Sequence, residues 1–236
     1  MTSKRAFIVT IACSLLAIFV FEYSGIDLAI QDHFYNFEAH EWLVDQHAPV
    51  PRFFFYNLPK LLLVVYGVTL LVMGTAAQRF RKPWFLPKRT ALYLLCSLSI
   101  IPVMIGIGKS QSWVYCPSEI TRYGGPGQYR RVFDRFPTDV AYKERGRCFP
   151  AGHASGGAAL ISLYFAARTR RQKNLALLAP LFFGGAMAFY QMLKGAHYMS
   201  HTAVTFIVAW GISLMLANAF GVHRPKTSPP AATSSP

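Results

Sequence analysis

Charge is what this chain has least of. Of its 236 residues only ten are acidic, and charged residues of both signs make up 14% against 53% apolar. That shortage excludes a disordered protein, which carries charge in place of a core, and a coiled coil, which needs charged flanking positions. It also excludes most water-soluble enzymes, because a domain of this size needs more charge to coat its surface. No internal repeat is visible. What is abundant is apolar sequence gathered into long runs, with a mean hydropathy of +0.29, the composition of a protein whose solvent is a bilayer.

Six runs approach the ~20 residues that a helix needs to cross hydrocarbon: 6–21, 58–77, 90–108, roughly 151–167 (the shortest), 175–193 and 202–221. The first follows Lys4 and Arg5 like a signal peptide, but Glu22, Tyr23 and Gly25 come next rather than a small-residue cleavage site, so it is read as a retained span. The expected fold is therefore an all-α integral membrane protein of six spans. Residues 1–222 form a single domain in this reading, and 223–236, rich in Pro, Ser, Thr and Ala, form a disordered cytoplasmic tail.

The net charge of +14 would suit nucleic acid were it not for where the charge falls. Lys4 and Arg5, the cluster Arg79 to Arg89, the cluster Arg168 to Lys173, and Arg224 with Lys226 all lie on one side of the spans, with no acid among them. The positive-inside bias makes that side cytoplasmic, with both termini on it. The basicity is then mostly a topology signal, and no nucleic-acid partner is expected. All the acids fall in or at the edges of the two long opposite-side loops.

Of those loops, 25–57 carries aromatics and His33, His40 and His47, and reads as an amphipathic helix at the headgroup level rather than a metal site. The second, 109–150 between spans three and four, holds eight basic residues including Arg122, Arg130, Arg131 and Arg145. Positive charge concentrated on the outer side points to an anionic headgroup or phosphate as ligand.

Two histidine-bearing segments lie at predicted span ends. Cys148-Phe-Pro150-Ala-Gly152-His153-Ala-Ser155-Gly156-Gly157 opens the fourth, where a proline suits a helix start and the backbone at Gly152 lets an anion approach closely. Gln191, Lys194, His197 and His201 bridge the fifth and sixth, spaced by three, three and four, so on one helix they share a face. Such a polar stripe is costly near a bilayer unless it serves a site.

Together these residues resemble the type-2 phosphatidic acid phosphatase family, within the superfamily of acid phosphatases and vanadium haloperoxidases. Its pattern is Lys, six residues, Arg-Pro; then Pro-Ser-Gly-His; then Ser-Arg, five residues, His, three residues, Asp. Here Lys109 is followed after six residues by Cys116-Pro117, Pro150-Ala151-Gly152-His153 stands for the second motif, and His197 with His201 stands for the third. Four positions depart: Cys116 for Arg, Ala151 for Ser, Gln191 for Arg and His201 for Asp. Lys194 and Arg122 are the cations expected to replace the missing arginines.

The resemblance implies a membrane lipid phosphatase acting through a phosphohistidine. His197 would attack phosphorus, and His153 would protonate the leaving group and then activate water. Lys109, Lys194 and Gly152, with Gln191 and Arg122, would hold the phosphate oxygens, and His201 would hydrogen-bond the other nitrogen of the nucleophile and fix its tautomer. Undecaprenyl (di)phosphate, lipid A, phosphatidylglycerol phosphate and phosphatidic acid all suit as substrates, and either water or a second lipid suits as acceptor. No cofactor and no metal are expected, because neither histidine motif contains a carboxylate. Cys116 and Cys148, both in the outer loop beside a motif, are expected to form a disulfide in an oxidising compartment, the periplasm outside a bacterial inner membrane. Cys13 and Cys96 read as small apolar residues within spans. Two rivals remain at this stage: a non-enzymatic lipid-binding or transport protein, and an intramembrane protease using Ser155. The sequence sets no oligomeric state.

Overall fold

The computed structural model of the chain describes residues 3–80, 86–135 and 145–222. The expected tail, 223–236, lies outside them, as do Arg81, Lys82 and Lys143. The molecule is mostly helical, at 72%. Among the described residues, five helices are long and apolar enough to cross a membrane: Lys4–Tyr23, Pro49–Ala76, Lys88–Gln111, Arg170–Leu193 and Met199–Ala219. Their lengths match the hydrocarbon thickness at 1.5 Å per residue.

In chain order these are α1 (Ser3–Tyr23), α3 (Pro49–Arg52) running through a π-helical turn into α4 (Leu58–Phe80), α5 (Lys88–Gln111), α8 (Arg170–Ala179) running through a second π-helical turn into α9 (Gly185–Leu193), and α10 (Met199–Ala219). The second π turn, Pro180–Gly184, begins at a proline, which removes one backbone donor and widens the helix. Thr169 opens α8 with a reciprocal capping box: its side chain accepts from the Gln172 N–H, while Gln172 Oε1 accepts from the Thr169 N–H.

The run 151–167 does not make a sixth helix of that kind. It is α6 (Gly152–Ala158), a 3-10 turn Ala159–Ile161 and α7 (Ser162–Ala166). Glycines at 152, 156 and 157 weaken a continuous helix and let neighbours come close. A Cβ on Gly157 would lie 2.4 Å from the Gly184 backbone, and one on Gly156 would lie 2.9 Å from Leu63 Cδ1. Most of this segment is buried against α5, α9 and α10, so its neighbours rather than the bilayer fix its length. In the core behind it, Tyr93 Oη donates toward the carbonyls of Ser162 (3.1 Å) and Ser213 (3.3 Å), tying α5, α7 and α10 together.

The outer loops depart from expectation. Segment 25–57 is not one amphipathic helix. It is a short α2 (Ile26–Asp32) followed by a two-residue antiparallel ladder of β1 (Tyr35–Asn36) and β2 (Glu41–Trp42), with Tyr35 opposite Trp42. Aromatic residues decide this: Tyr35, Trp42 and Tyr123 meet with ring centroids 4.9–5.2 Å apart, and Tyr115 and Ile120 complete the cluster. Such edge-to-face packing favours a folded cap over a helix lying flat on the membrane.

Candidate active site

Six of the proposed residues reach this cap end of the bundle by different routes. Lys109 sits in the last turn of α5, and Gly152 and His153 open α6. The stem of Lys109 passes alongside Gly152, where a Cβ would make ordinary van der Waals contact with Lys109 Cδ at 3.5 Å. His197 and Lys194 lie in the turn between α9 and α10, and His201 lies in the first turn of α10. The expected single helical face through Gln191, Lys194, His197 and His201 is absent, because the helix stops at Leu193.

A Schellman-type cap stops it. Gly195 has φ +70°, its N–H donates to the Met192 carbonyl (3.0 Å), and the Ala196 N–H donates to that of Gln191 (2.8 Å). Only glycine fits this position, since a Cβ would lie 2.4 Å from the Trp42 ring. The turn is pinned from the cap: Ser118 N–H donates to the Gly195 carbonyl (2.9 Å), and Val44 N–H donates to that of Leu193 (3.3 Å).

The two imidazoles meet. His153 Nδ1 and His197 Nε2 are 3.2 Å apart, a direct hydrogen bond in which one ring donates to the other. His197 is 1% exposed, and burial is the main reason its imidazole is held well below the usual value. The neighbouring His201, His153 and Lys109 push in the same direction. His197 is therefore neutral, the form that can act as a nucleophile. The Lys194 ammonium, also below its usual value through burial and the nearby Arg52, lies 4.8 Å from the centre of the Tyr190 ring.

Three expectations are corrected. The His201 ring does not hold the other nitrogen of His197: among the described residues its Nδ1 has no hydrogen-bond partner, and its ring stands edge-on, 5.9 Å away. The sulfur of Cys148 faces His197 Nδ1 instead, at 3.5 Å, and that sulfur is bonded to Cys116 in a disulfide with Cα atoms 5.2 Å apart. Arg122 is not at the site. Its guanidinium makes a bidentate pair with Asp32, at 2.8 and 2.6 Å, and Tyr123 adds a third hydrogen bond to the same carboxylate. Gln191 is buried, with neither amide atom partnered among the described residues, and it is not among those lining the cleft beside His153.

Two of the other loop arginines lie on aromatic faces. Arg131 lies 4.5 Å from the centre of the Tyr23 ring and Arg145 lies 4.3 Å from that of Trp113. They brace the cap rather than offering an open anion patch. Ser155 is likewise occupied, donating to the Gly152 carbonyl at 2.7 Å. Among the described residues, the His/Cys/Asp/Glu cluster with metal-binding spacing is Cys116, Cys148 and His197. With the two sulfurs joined to each other, it does not offer thiolate ligands.

Several contributors went unnoticed in the sequence. Asp27 caps α10, accepting from the Ser200 N–H at 2.9 Å, and Gln31 donates to the Met192 carbonyl at 2.6 Å, so α2 holds both sides of the histidine turn. Tyr56 stands edge-on to His153 with centroids 5.4 Å apart. Next to it Lys60 lines the same cleft as Lys109, Gly152 and His153; a cation interrupting an apolar run was the available signal.

No curated protein and no solved structure matches the chain. The model of the PAP2 superfamily does, over residues 90–225, a stretch that spans α5 to α10 and holds Lys109, His153 and His197. On that match, covering more than half of its length, the chain belongs to the PAP2 superfamily.

Proposed function

We propose that the chain is a membrane lipid phosphatase in which His197 is the nucleophile and His153 the acid–base. Family membership supports phosphatase chemistry, and five membrane-crossing helices support a membrane setting. The observation that carries the residue assignment is the 3.2 Å contact between His153 and His197 beside Lys109.

His197 Nε2 attacks phosphorus in line with the ester oxygen, and the P–O bond breaks as the P–N bond forms. The phosphoryl group must first part the two rings, since a phosphorus atom does not fit within their hydrogen bond. His153 borders the cleft, and in this mechanism it turns toward the cleft to admit the phosphoryl group. As an imidazolium, the form that a bound phosphate dianion favours, it then protonates the departing oxygen and is left neutral, and in the second step the neutral ring takes a proton from the water that attacks the phosphohistidine. Lys109 and Lys194 offset the charge on the equatorial oxygens. Nδ1–H of His197 points at the disulfide sulfur, a weak acceptor that keeps Nε2 as the lone-pair nitrogen.

Positive charge on the opposite short loops supports a site facing the outer side of a bacterial inner membrane, the periplasm. A Cys116–Cys148 disulfide suits that oxidising compartment.

The test is phosphate release by purified protein from undecaprenyl, lipid A, phosphatidylglycerol and phosphatidic phosphates, with and without a lipid acceptor. His197→Ala is expected to lower kcat at least about 1,000-fold, and His153→Ala by about 100- to 10,000-fold. Release that is unchanged in His197→Ala overturns the assignment.

A further inference from the structure

We infer that Lys60 and the cleft it heads complete the substrate site: the Lys60 ammonium grips the phosphate alongside Lys109, and the cleft takes the adjoining stretch of one hydrocarbon chain. This deepens the lipid-phosphatase reading and rests on it.

Tyr56, Lys60, Leu63, Val64, Gly67 and Val68 recur at steps of four, three, one, three and one, so they form one face of the helix that continues into α4. That face, with Leu98 and Pro102 of α5, lines a cleft of about 520 Å³ that ends at Lys109, Gly152 and His153. From Lys60 to Val68 the helix rises about 12 Å. Cations stand at one end of that path, and beyond them come aliphatic side chains, as a phosphate with an alkyl tail requires.

The charge itself calls for an anion. Lys60 lies within the membrane-crossing stretch Pro49–Ala76, where an ammonium is costly unless it reaches water or meets a counter-charge. Among the described residues no carboxylate lies within ion-pair distance of it, and its ammonium stands 5.9 Å from the centre of the Tyr56 ring. The Tyr56 ring in turn touches His153, so an anion between Lys60 and Lys109 sits against the histidine pair. The cleft opens sideways, because Val64 and Val68 are 56% and 55% exposed on the flank that faces hydrocarbon. Beyond Lys109 and Lys194, the motif positions that lack arginine supply no further cation, since Cys116 is in the disulfide and Gln191 is a buried amide, and the loop residue Arg122 is held by Asp32.

Methylphosphonate and dodecylphosphonate carry the anionic head but no cleavable ester, so their binding to the full chain in lipid nanodiscs reads the two halves separately. Dodecylphosphonate is expected to bind the unaltered protein at least about tenfold tighter than methylphosphonate. Lys60→Met is expected to weaken both about tenfold, while Lys60→Arg stays within about threefold. Val68→Trp, on an exposed position that leaves the core alone, is expected to weaken only dodecylphosphonate; Gly67→Leu, judged by thermal unfolding for integrity, repeats the block from the cleft wall. Unchanged binding in Lys60→Met overturns the cation, and equal affinity for the two probes or equal effects of Val68→Trp on both overturn the chain cleft. Because neither probe turns over, this result stands apart from the phosphate-release assay: turnover indifferent to His197→Ala sinks the mechanism, and probe binding indifferent to Lys60→Met sinks this inference.

Discussion

At the scale of single residues, the burial of His197 sets the pH response. A buried imidazole resists protonation, and His201, His153 and Lys109 add to that resistance. On the proposed mechanism, the neutral His197 that attacks phosphorus is present above its own pKa and lost as pH falls through it. The acid limb of kcat/KM is therefore expected below the ordinary imidazole value of about 6.5; a limb centred at or above it contradicts the assignment. Folding is linked in the same sense: below about pH 6.5 the unfolded chain binds a proton that the folded one refuses, so stability falls with acid. Of the residues around this ring, Lys109, His153 and His197 were legible because their spacing matched a motif. The sulfur at Nδ1 was not, since His201 stood four positions along where an orienting group was expected, and only the turn at Gly195 takes it away. Arg122 was misassigned for a related reason: an arginine in a basic loop carries no mark of whether its partner is a phosphate or Asp32, ninety positions away.

At the scale of elements, the turn between α9 and α10 is the most demanding. Gly195→Ala introduces a Cβ at φ +70° into the face of Trp42. It is expected to destabilise the protein by about 1–3 kcal/mol and to lower kcat by displacing His197, measurable as a lower Tm in detergent and slower phosphate release. Unaltered kinetics would show that catalysis does not depend on how this turn places His197. The long helices could be read directly from apolar runs, since a bilayer imposes one length on each. The segment 151–167 could not, because its neighbours set its length and close glycine packing leaves no periodic signature. Nor could the cap, whose α2 and two-residue ladder are too short to show a period and are held by contacts between distant aromatics.

At the scale of the whole molecule, the cap and the bundle are stitched by Cys116–Cys148, which closes a loop with a sequence separation of 32. By chain entropy a loop of that size contributes about 3–4 kcal/mol. Cys116→Ser is expected to lower Tm accordingly, and reduction of the unaltered protein is expected to lower kcat as well, because the sulfur at His197 Nδ1 then shifts. Reduction without effect on either would separate the bond from the site. The longest-range stitches have a different consequence. The carboxylate that caps α10 and the amide it accepts from are 173 positions apart, and α1 lies along that same helix, with Thr10 against Gly211. A ribosome therefore delivers the first of these partners well before the last, and the early helices wait in the bilayer with their seams open. Assembly of the histidine pair coincides with arrival of the final helix, so an unfinished chain carries the proposed reagents for phosphoryl transfer without the arrangement that would let them act.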